Sequence, residues 1–139
     1  MTTHASELVF VLGGTADGQA AILGIELQTG RLAFETAMPG AENQPRKTMA
    51  VEEAGIAVVT GAGDLYFLDR DTGAARWRQT VETRERRNDK EPFVLVAGGC
   101  VIVGLQGVTT CFDLEGRQLW ARPTGMAGIG VTGKVVEPR

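Results

Sequence analysis

The hydrophobic residues of this chain come in short, nearly continuous runs that glycines separate. The first run is Leu8 to Leu12, which is rich in β-branched and aromatic residues and is closed by Gly13 and Gly14. No window repeats apolar residues at i, i+3, i+4 and i+7 over three turns. Short apolar runs bounded by glycine are typical of strands that are buried on both faces, whereas helices require the longer periodic pattern.

The runs predict twelve strands in four groups. The first group has three strands, the second and third have four each, and one more lies near the C-terminus. The predicted strands are 8–12, 20–26 and 31–36; 48–51, 56–59, 65–68 and 75–81; 93–97, 101–105, 109–112 and 118–122; and 134–139. The charged segment 82–91 between the second and third groups is predicted to be a solvated loop, with a helix as the alternative.

A turn motif recurs with a spacing of 43 residues, both for its glycines and for an aromatic residue four positions later. A period of about 40–45 residues is typical of propeller blades or of helical solenoids, and the lack of helices favours the propeller. The glycine permits a positive φ in the turn, and the aromatic side chain is large enough to fill the gap between neighbouring blades. We interpret the recurring residues as structural: Thr29, Gly30 and Phe34; Asp69, Thr72, Gly73 and Trp77; Asp113, Gly116 and Trp120.

The fold class expected is therefore all-β, with three four-stranded blades in the strand order bcd-abcd-abcd-a. Residues 1–7 form a predicted tail, and 8–139 form a single domain with blade units at about 8–38, 46–82 and 91–123 and a closing strand at 134–139. Known propellers have roughly four to eight blades, so three are too few for a ring. We expect a homodimer that closes one six-bladed ring, each closing strand completing the first blade of the other copy. A larger closed assembly or a fragment of a longer chain remains open.

The second copy of the motif resembles the pyrroloquinoline-quinone-type propeller repeat, also called the tryptophan-docking motif. Its signature, Ala-x-Asp-x-x-Thr-Gly-Lys-x-x-Trp, is matched at Asp69, Thr72, Gly73 and Trp77, with Phe67 and Ala74 in place of Ala and Lys. The third copy lacks one turn residue. The resemblance implies the propeller fold; enzymes of the family bind a quinone and Ca²⁺, and many other members are binding scaffolds. The adjacent-cysteine pair that resembles a quinoprotein active site is absent from the sequence.

Composition narrows the class of protein. The 139 residues suffice for one domain, and the net charge of −3 argues against a nucleic-acid binder, which would carry a basic stripe. The segment Met1 to Glu7 lacks the basic start of a signal peptide. No apolar run approaches the ~18 residues of a membrane span. We therefore expect a cytoplasmic protein that binds neither nucleic acid nor membrane.

Residues for catalysis or metal binding are scarce in the sequence. His4 and Ser6 lie in the predicted tail, where they lack the buried, oriented base that nucleophilic catalysis needs. Cys100 and Cys111 fall on neighbouring predicted strands; we expect buried thiols, with a disulfide as the alternative. The pattern G-x-G-x-x-G at 128–133 has no following helix and is interpreted as a connection. We predict no catalytic, cofactor-binding or metal-binding residue and no cofactor, although whether the protein is an enzyme stays open.

The loops that link one blade to the next share one rim of a propeller, and binding residues gather on loops over a rigid scaffold. The sequence therefore predicts a non-catalytic scaffold or protein-interaction module that binds an unknown protein partner through this rim. A small-ligand or metal-binding subunit of an enzyme complex, using the central channel, is the alternative. A solvated charged surface would carry the same residues. The candidate rim residues are Asp17, Arg46, Lys47, Arg84, Arg86, Arg87 and Lys90.

Overall fold

The computed structural model describes residues 7–14, 20–38, 47–81 and 92–123. All regular secondary structure in these ranges is β-strand. No helix in the described residues is long and apolar enough to cross a bilayer. The eleven strands are β1 (Leu8–Gly14), β2 (Ala20–Glu26), β3 (Leu32–Ala37), β4 (Lys47–Glu52), β5 (Gly55–Thr60), β6 (Asp64–Leu68), β7 (Ala75–Thr80), β8 (Phe93–Ala97), β9 (Cys100–Leu105), β10 (Val108–Asp113) and β11 (Gln118–Pro123).

The strands form three antiparallel sheets in which each strand pairs with its neighbour in sequence. Sheet 1 has the order β1-β2-β3, sheet 2 β4-β5-β6-β7 and sheet 3 β8-β9-β10-β11. The prediction of an all-β chain with three, four and four strands is confirmed. Several strands run one or two residues beyond their predicted bounds, because hairpin pairing continues up to the turn, as in Glu52 opposite Gly55.

Sheet 1 corresponds to the last three strands of a four-stranded sheet. β5, the second strand of sheet 2, lies beside β8, the first strand of sheet 3, and β1 lies beside β4 in the same manner. β1 therefore occupies the position of a second strand. The predicted closing strand at 134–139 and the predicted loop at 82–91 lie outside the described residues.

Each sheet has a register shift at the same place, between its last two strands. In sheet 1, Gly24 pairs with Phe34 and the next pair leaves Ala33 of the last strand unpaired. The corresponding unpaired residues are Arg76 in sheet 2 and Leu119 in sheet 3. Such bulges bend a strand and re-aim its side chains. In this protein the bulge immediately precedes the recurring aromatic residue.

Two apolar cores lie between neighbouring sheets. Ile22 and Met38 of the first unit pack with Ile56 and Tyr66 between sheets 1 and 2. Phe67 packs with Val101 and Phe112 between sheets 2 and 3. Sheet 2 is therefore covered on both faces, which is why every residue of β5 and β6 is buried and why both strands are apolar apart from Thr60 and Asp64.

Candidate functional site

The turns between the third and fourth strands carry the recurring motif. Gly30, Gly73 and Gly116 have φ of 73°, 74° and 91°, a left-handed conformation that glycine adopts without steric cost. The Asp69 carboxylate oxygen Oδ1 accepts hydrogen bonds from the backbone N–H groups of Thr72 and Asp71, at 3.0 and 2.9 Å. These bonds, and then the Arg76 guanidinium, hold the pKa of Asp69 below its ordinary value of 3.8.

The other two turns place an acid at the same position. Asp113 accepts bonds from the backbone N–H groups of Arg117 and Glu115, both at 2.9 Å, and from Arg117 Nε at 2.9 Å. The backbone bond from Arg117, together with its guanidinium, lowers the pKa of Asp113. Glu26 accepts a bond from the Thr29 hydroxyl at 2.8 Å. All three acidic side chains thus accept hydrogen bonds that stabilise their own turns.

The turn of sheet 2 is the seat for the aromatic residue of sheet 1. A Cβ atom built on Gly73 would collide with the Phe34 ring and the Thr36 hydroxyl, so only glycine fits beneath that ring. The Thr36 hydroxyl donates a hydrogen bond to the Gly73 carbonyl oxygen at 2.6 Å. We call this arrangement, an aromatic ring seated on the next turn beside a hydrogen bond to its glycine carbonyl, a docking joint.

A second docking joint connects sheets 2 and 3. Trp77 Nε1–H donates to the Leu114 carbonyl oxygen at 2.9 Å, and Gln79 Nε2–H donates to the Gly116 carbonyl oxygen at 2.8 Å. A Cβ atom on Gly116 would lie 2.8 Å from the indole ring. The indole also stacks on Phe67, with ring centroids 5.2 Å apart. The joint therefore combines ring packing with two directed hydrogen bonds.

Sequence reasoning missed the hydrogen bond to the glycine carbonyl oxygen in each joint. Its donors, Thr36 and Gln79, stand two positions after the aromatic residue and 43 residues apart, and Arg122 holds the same position in the third unit. The signal was present, because all three side chains can donate. It was hidden by the difference in residue type.

The opposite end of sheets 2 and 3 carries the turn between the second and third strands, the start of the first strand and the end of the last. In sheet 1 the corresponding end holds the start of β2 and the end of β3. We call this the link end. In sheet 2 the backbone N–H of Val81 donates to the Gly63 carbonyl oxygen at 2.6 Å, and in sheet 1 that of Met38 donates to the Ala20 carbonyl oxygen at 3.0 Å. Val81 and Met38 are both buried. The link segments 39–46 and 82–91 therefore follow anchored residues.

Of the predicted rim residues, Lys47 is described. It begins β4 at the link end of sheet 2, opposite Thr60, and is half-buried. On the opposite edge strand of sheet 2, an Arg78 guanidinium nitrogen lies 3.6 Å from the Asp64 carboxylate, and its Cζ atom lies 5.0 Å from the centroid of the Tyr66 ring. The remaining rim candidates lie outside the described residues: Asp17, Arg46, Arg84, Arg86, Arg87 and Lys90.

Both cysteines are free thiols on adjacent strands of sheet 3. Cys111 is 2% exposed. Its burial, and then the neighbouring Cys100, raise the pKa of Cys111 to about 11, so that it is a thiol at neutral pH. Across the described ranges, no group of three or more His, Cys, Asp or Glu is arranged to hold a metal ion.

The sequence profile of the family described as "Outer membrane protein assembly factor BamB" matches residues 2–136. The chain belongs to the BamB family. No curated protein matches the sequence.

Solved structures share the fold of this BamB-family chain. A europium-containing methanol dehydrogenase superimposes with a TM-score of 0.61 at 16% identity, over 82% of this chain and 22% of the enzyme. BamB from Moraxella catarrhalis superimposes with a TM-score of 0.57 at 16% identity, over 81% of this chain and 36% of that protein. The chain thus spans about a fifth to a third of the length of these proteins. Both carry pyrroloquinoline-quinone-type repeats, which confirms the resemblance seen in the motif.

Proposed function

We propose that this chain is a non-catalytic propeller scaffold that binds a protein partner through the link ends of its sheets. The observation that carries the proposal is a difference between the two ends of each sheet. The recurring polar residues are used in closing turns and joining sheets. The link segments, in contrast, start from anchored, buried residues. Loops on a rigid scaffold are where binding residues gather.

The arginines of the link segment 82–91 are suited to bind carboxylates of a partner surface. Arg84, Arg86 and Arg87 fall within one segment, and Lys47 begins the strand after another. Guanidinium groups bind carboxylates through paired hydrogen bonds. Glu82, Glu85, Asp89 and Glu91 interrupt the cluster, so the proposed contact is a mixed-charge interface and not a general attraction to anions.

The proposed working form is a six-bladed ring made by two copies. Among the described strands, β1 pairs with β2 alone, which leaves one side of it open to a further strand. In the ring, residues 134–139 of one copy add to this edge of the other. Pairing removes an exposed edge that would otherwise template aggregation, and two-fold assemblies are the commonest oligomers.

The test of the partner site compares three purified chains as baits in extracts of the source cell. The bait with Arg84, Arg86 and Arg87 changed to Glu should lose a partner that the unchanged chain retains. Arg70→Glu is the control, because Arg70 lies on a turn remote from the link end and makes only a 4.0 Å ion pair with Asp71. Equal capture by all three chains contradicts the rim proposal. A small molecule retained in a native mass spectrum would instead favour a ligand-binding subunit.

A further inference from the structure

The ends of the described body carry the two halves of a third docking joint. Trp120 stands at the position of Trp77 in sheet 3, and its side chain is 46% exposed. Gly30 stands at the position of Gly73 in sheet 1, and nothing lies within 4 Å of a Cβ atom built on it. One end therefore presents the aromatic residue, and the other presents the seat.

The seat at Gly30 is already in the conformation of the occupied seat at Gly73. The Gly30 backbone N–H donates to the Glu26 carbonyl oxygen at 2.9 Å, and Gly73 donates to Asp69 at 2.8 Å. The φ angles of the two glycines, 73° and 74°, are the same within a degree. An aromatic ring arriving there would meet a turn that needs no rearrangement, which lowers the cost of binding.

Apolar side chains surround both halves of this third joint. Leu27 of the seat is 57% exposed, and Leu119 beside Trp120 is 54% exposed. The outer face of sheet 1 adds Val9 and Val11, which are 43% and 45% exposed. Together with Leu32 and Trp120 these are all the exposed large hydrophobic residues of the described ranges. They mark a surface that is suited to burial.

We propose that a second copy of this chain covers both ends, with Trp120 of each copy seated on the Leu27–Gly30 turn of the other. By analogy with Trp77 and Leu114, the Trp120 indole N–H donates to the Leu27 carbonyl oxygen. Arg122, at the position of Gln79, donates to the Gly30 carbonyl oxygen. The inference rests on the proposed two-copy ring and names the contacts that close it.

The number of copies follows from the blade count. Two copies that each contribute the three sheets of the described ranges give six blades, within the roughly four to eight of known propellers, whereas three copies would exceed that range. A two-copy ring also makes two identical joints at once. The second joint forms within the already tethered pair, where the effective concentration of its halves is high.

Two single substitutions remove one half of the joint each. Trp120→Ala deletes the ring, and Gly30→Ala places a Cβ where the ring must sit. Each should raise the dimer dissociation constant at least about 30-fold, as truncation of a buried interface tryptophan does. Gly98→Ala is the matched control for the glycine change, because Gly98 also has a positive φ, of 60°, with nothing within 4 Å of its Cβ position. Sedimentation velocity over a range of concentrations measures the dimer dissociation constants of all three variants.

Mixing the two weakened chains gives the sharpest test. A pair made of one W120A chain and one G30A chain keeps one intact joint, because the tryptophan of the second meets the glycine of the first. Pairs of identical variants keep none. Native mass spectrometry of the mixture should therefore show the mixed dimer in excess over both homodimers.

Three outcomes would overturn the inference. If the unchanged chain stays a monomer at tens of micromolar, both the ring and the joint are wrong. If it dimerises but W120A and G98A dimerise equally well, the ring survives and the joint is wrong. If mixed and identical pairs form in statistical proportion, the contact does not run from the tryptophan of one copy to the turn of the other.

Discussion

At the scale of single residues, the polar side chains of this protein are used mainly to fix the backbone. Asp69 and Asp113 each accept two backbone hydrogen bonds within their own turn, which a neutral side chain would accept more weakly. Their depressed pKa values are therefore a measure of turn formation and need no functional explanation.

A pH dependence follows for Asp69. Its pKa is lower in the folded chain than in the unfolded one, so its charge stabilises the fold above the ordinary value of 3.8, and this contribution is lost as the pH falls through the lower folded-state pKa. Asp69→Asn should therefore destabilise the protein above pH 3.8, and the difference from the unchanged chain should vanish in stronger acid. Urea unfolding on both sides of that pH measures it. Asp71→Asn, on the same turn and 82% exposed, is the control. A difference that is constant with pH contradicts the prediction.

A buried hydroxyl offers a second test at this scale. Within the described ranges, Thr110 Oγ1 is buried without a hydrogen-bond partner, in the apolar core between sheets 2 and 3. An unsatisfied buried polar group costs about 1–3 kcal/mol, so Thr110→Val should stabilise the chain by about 1 kcal/mol. The half-buried neighbour Thr109, changed to Val, should alter the free energy of unfolding by less than about 0.5 kcal/mol. Loss of stability in the first variant would show that the hydroxyl has a partner in solution.

At the scale of strands and turns, sequence patterns predicted most of the architecture. Continuous apolar runs identified the strands, and β2 and β8 have the bounds expected from them. Burial on both faces is found in β5 and β6, whereas the apolar run of β1 leaves Val9 and Val11 exposed because sheet 1 has one described neighbour. The bulges that precede Phe34, Trp77 and Trp120 were not predicted, because they depend on pairing between strands and leave no mark in composition. The donors of the joints were missed for a related reason, since Thr36 and Gln79 perform one task with different side chains.

The joint between sheets 2 and 3 should dominate their attachment. Trp77→Ala removes a large, partly buried ring and should cost about 3 kcal/mol of unfolding free energy, the lower end of the range for truncation of a buried aromatic residue. Trp77→Phe keeps the ring but loses the bond to the Leu114 carbonyl oxygen and should cost about 1 kcal/mol. The joint made by Phe34 shows that a phenyl ring fits such a seat. Urea unfolding at one protein concentration compares the variants. Equal losses for both would assign the energy of the joint to the hydrogen bond instead of the packing.

At the scale of the whole molecule, the pattern of coverage is uneven. Sheet 2 lies between two neighbours, whereas sheets 1 and 3 each have one among the described residues. The eleven strands of the described ranges were predictable from sequence because each strand leaves a local signal. The candidate rim residues belong to no repeated motif of the sequence, so only the blade topology could suggest their place. Of these residues the described ranges include Lys47, at the link end of sheet 2.

Assembly should make the melting temperature depend on protein concentration. If folding and pairing are linked, the melting temperature of the unchanged chain rises with protein concentration by mass action. Trp120→Ala should melt at a temperature that depends much less on concentration, and Gly98→Ala should keep the dependence. Differential scanning fluorimetry over a hundredfold dilution series suffices. A melting temperature independent of concentration in the unchanged chain would contradict linked pairing.

The docking joints all point the same way: the ring of one sheet reaches forward to the turn of the following sheet, and neither described joint runs in reverse. Each in-frame repeat of the coding sequence would therefore encode both the aromatic residue of a docking joint and a turn that can receive one. Two copies fused into one polypeptide would form the same contacts without meeting in solution. Blade number in such proteins can then change by duplication alone, without the invention of any new surface.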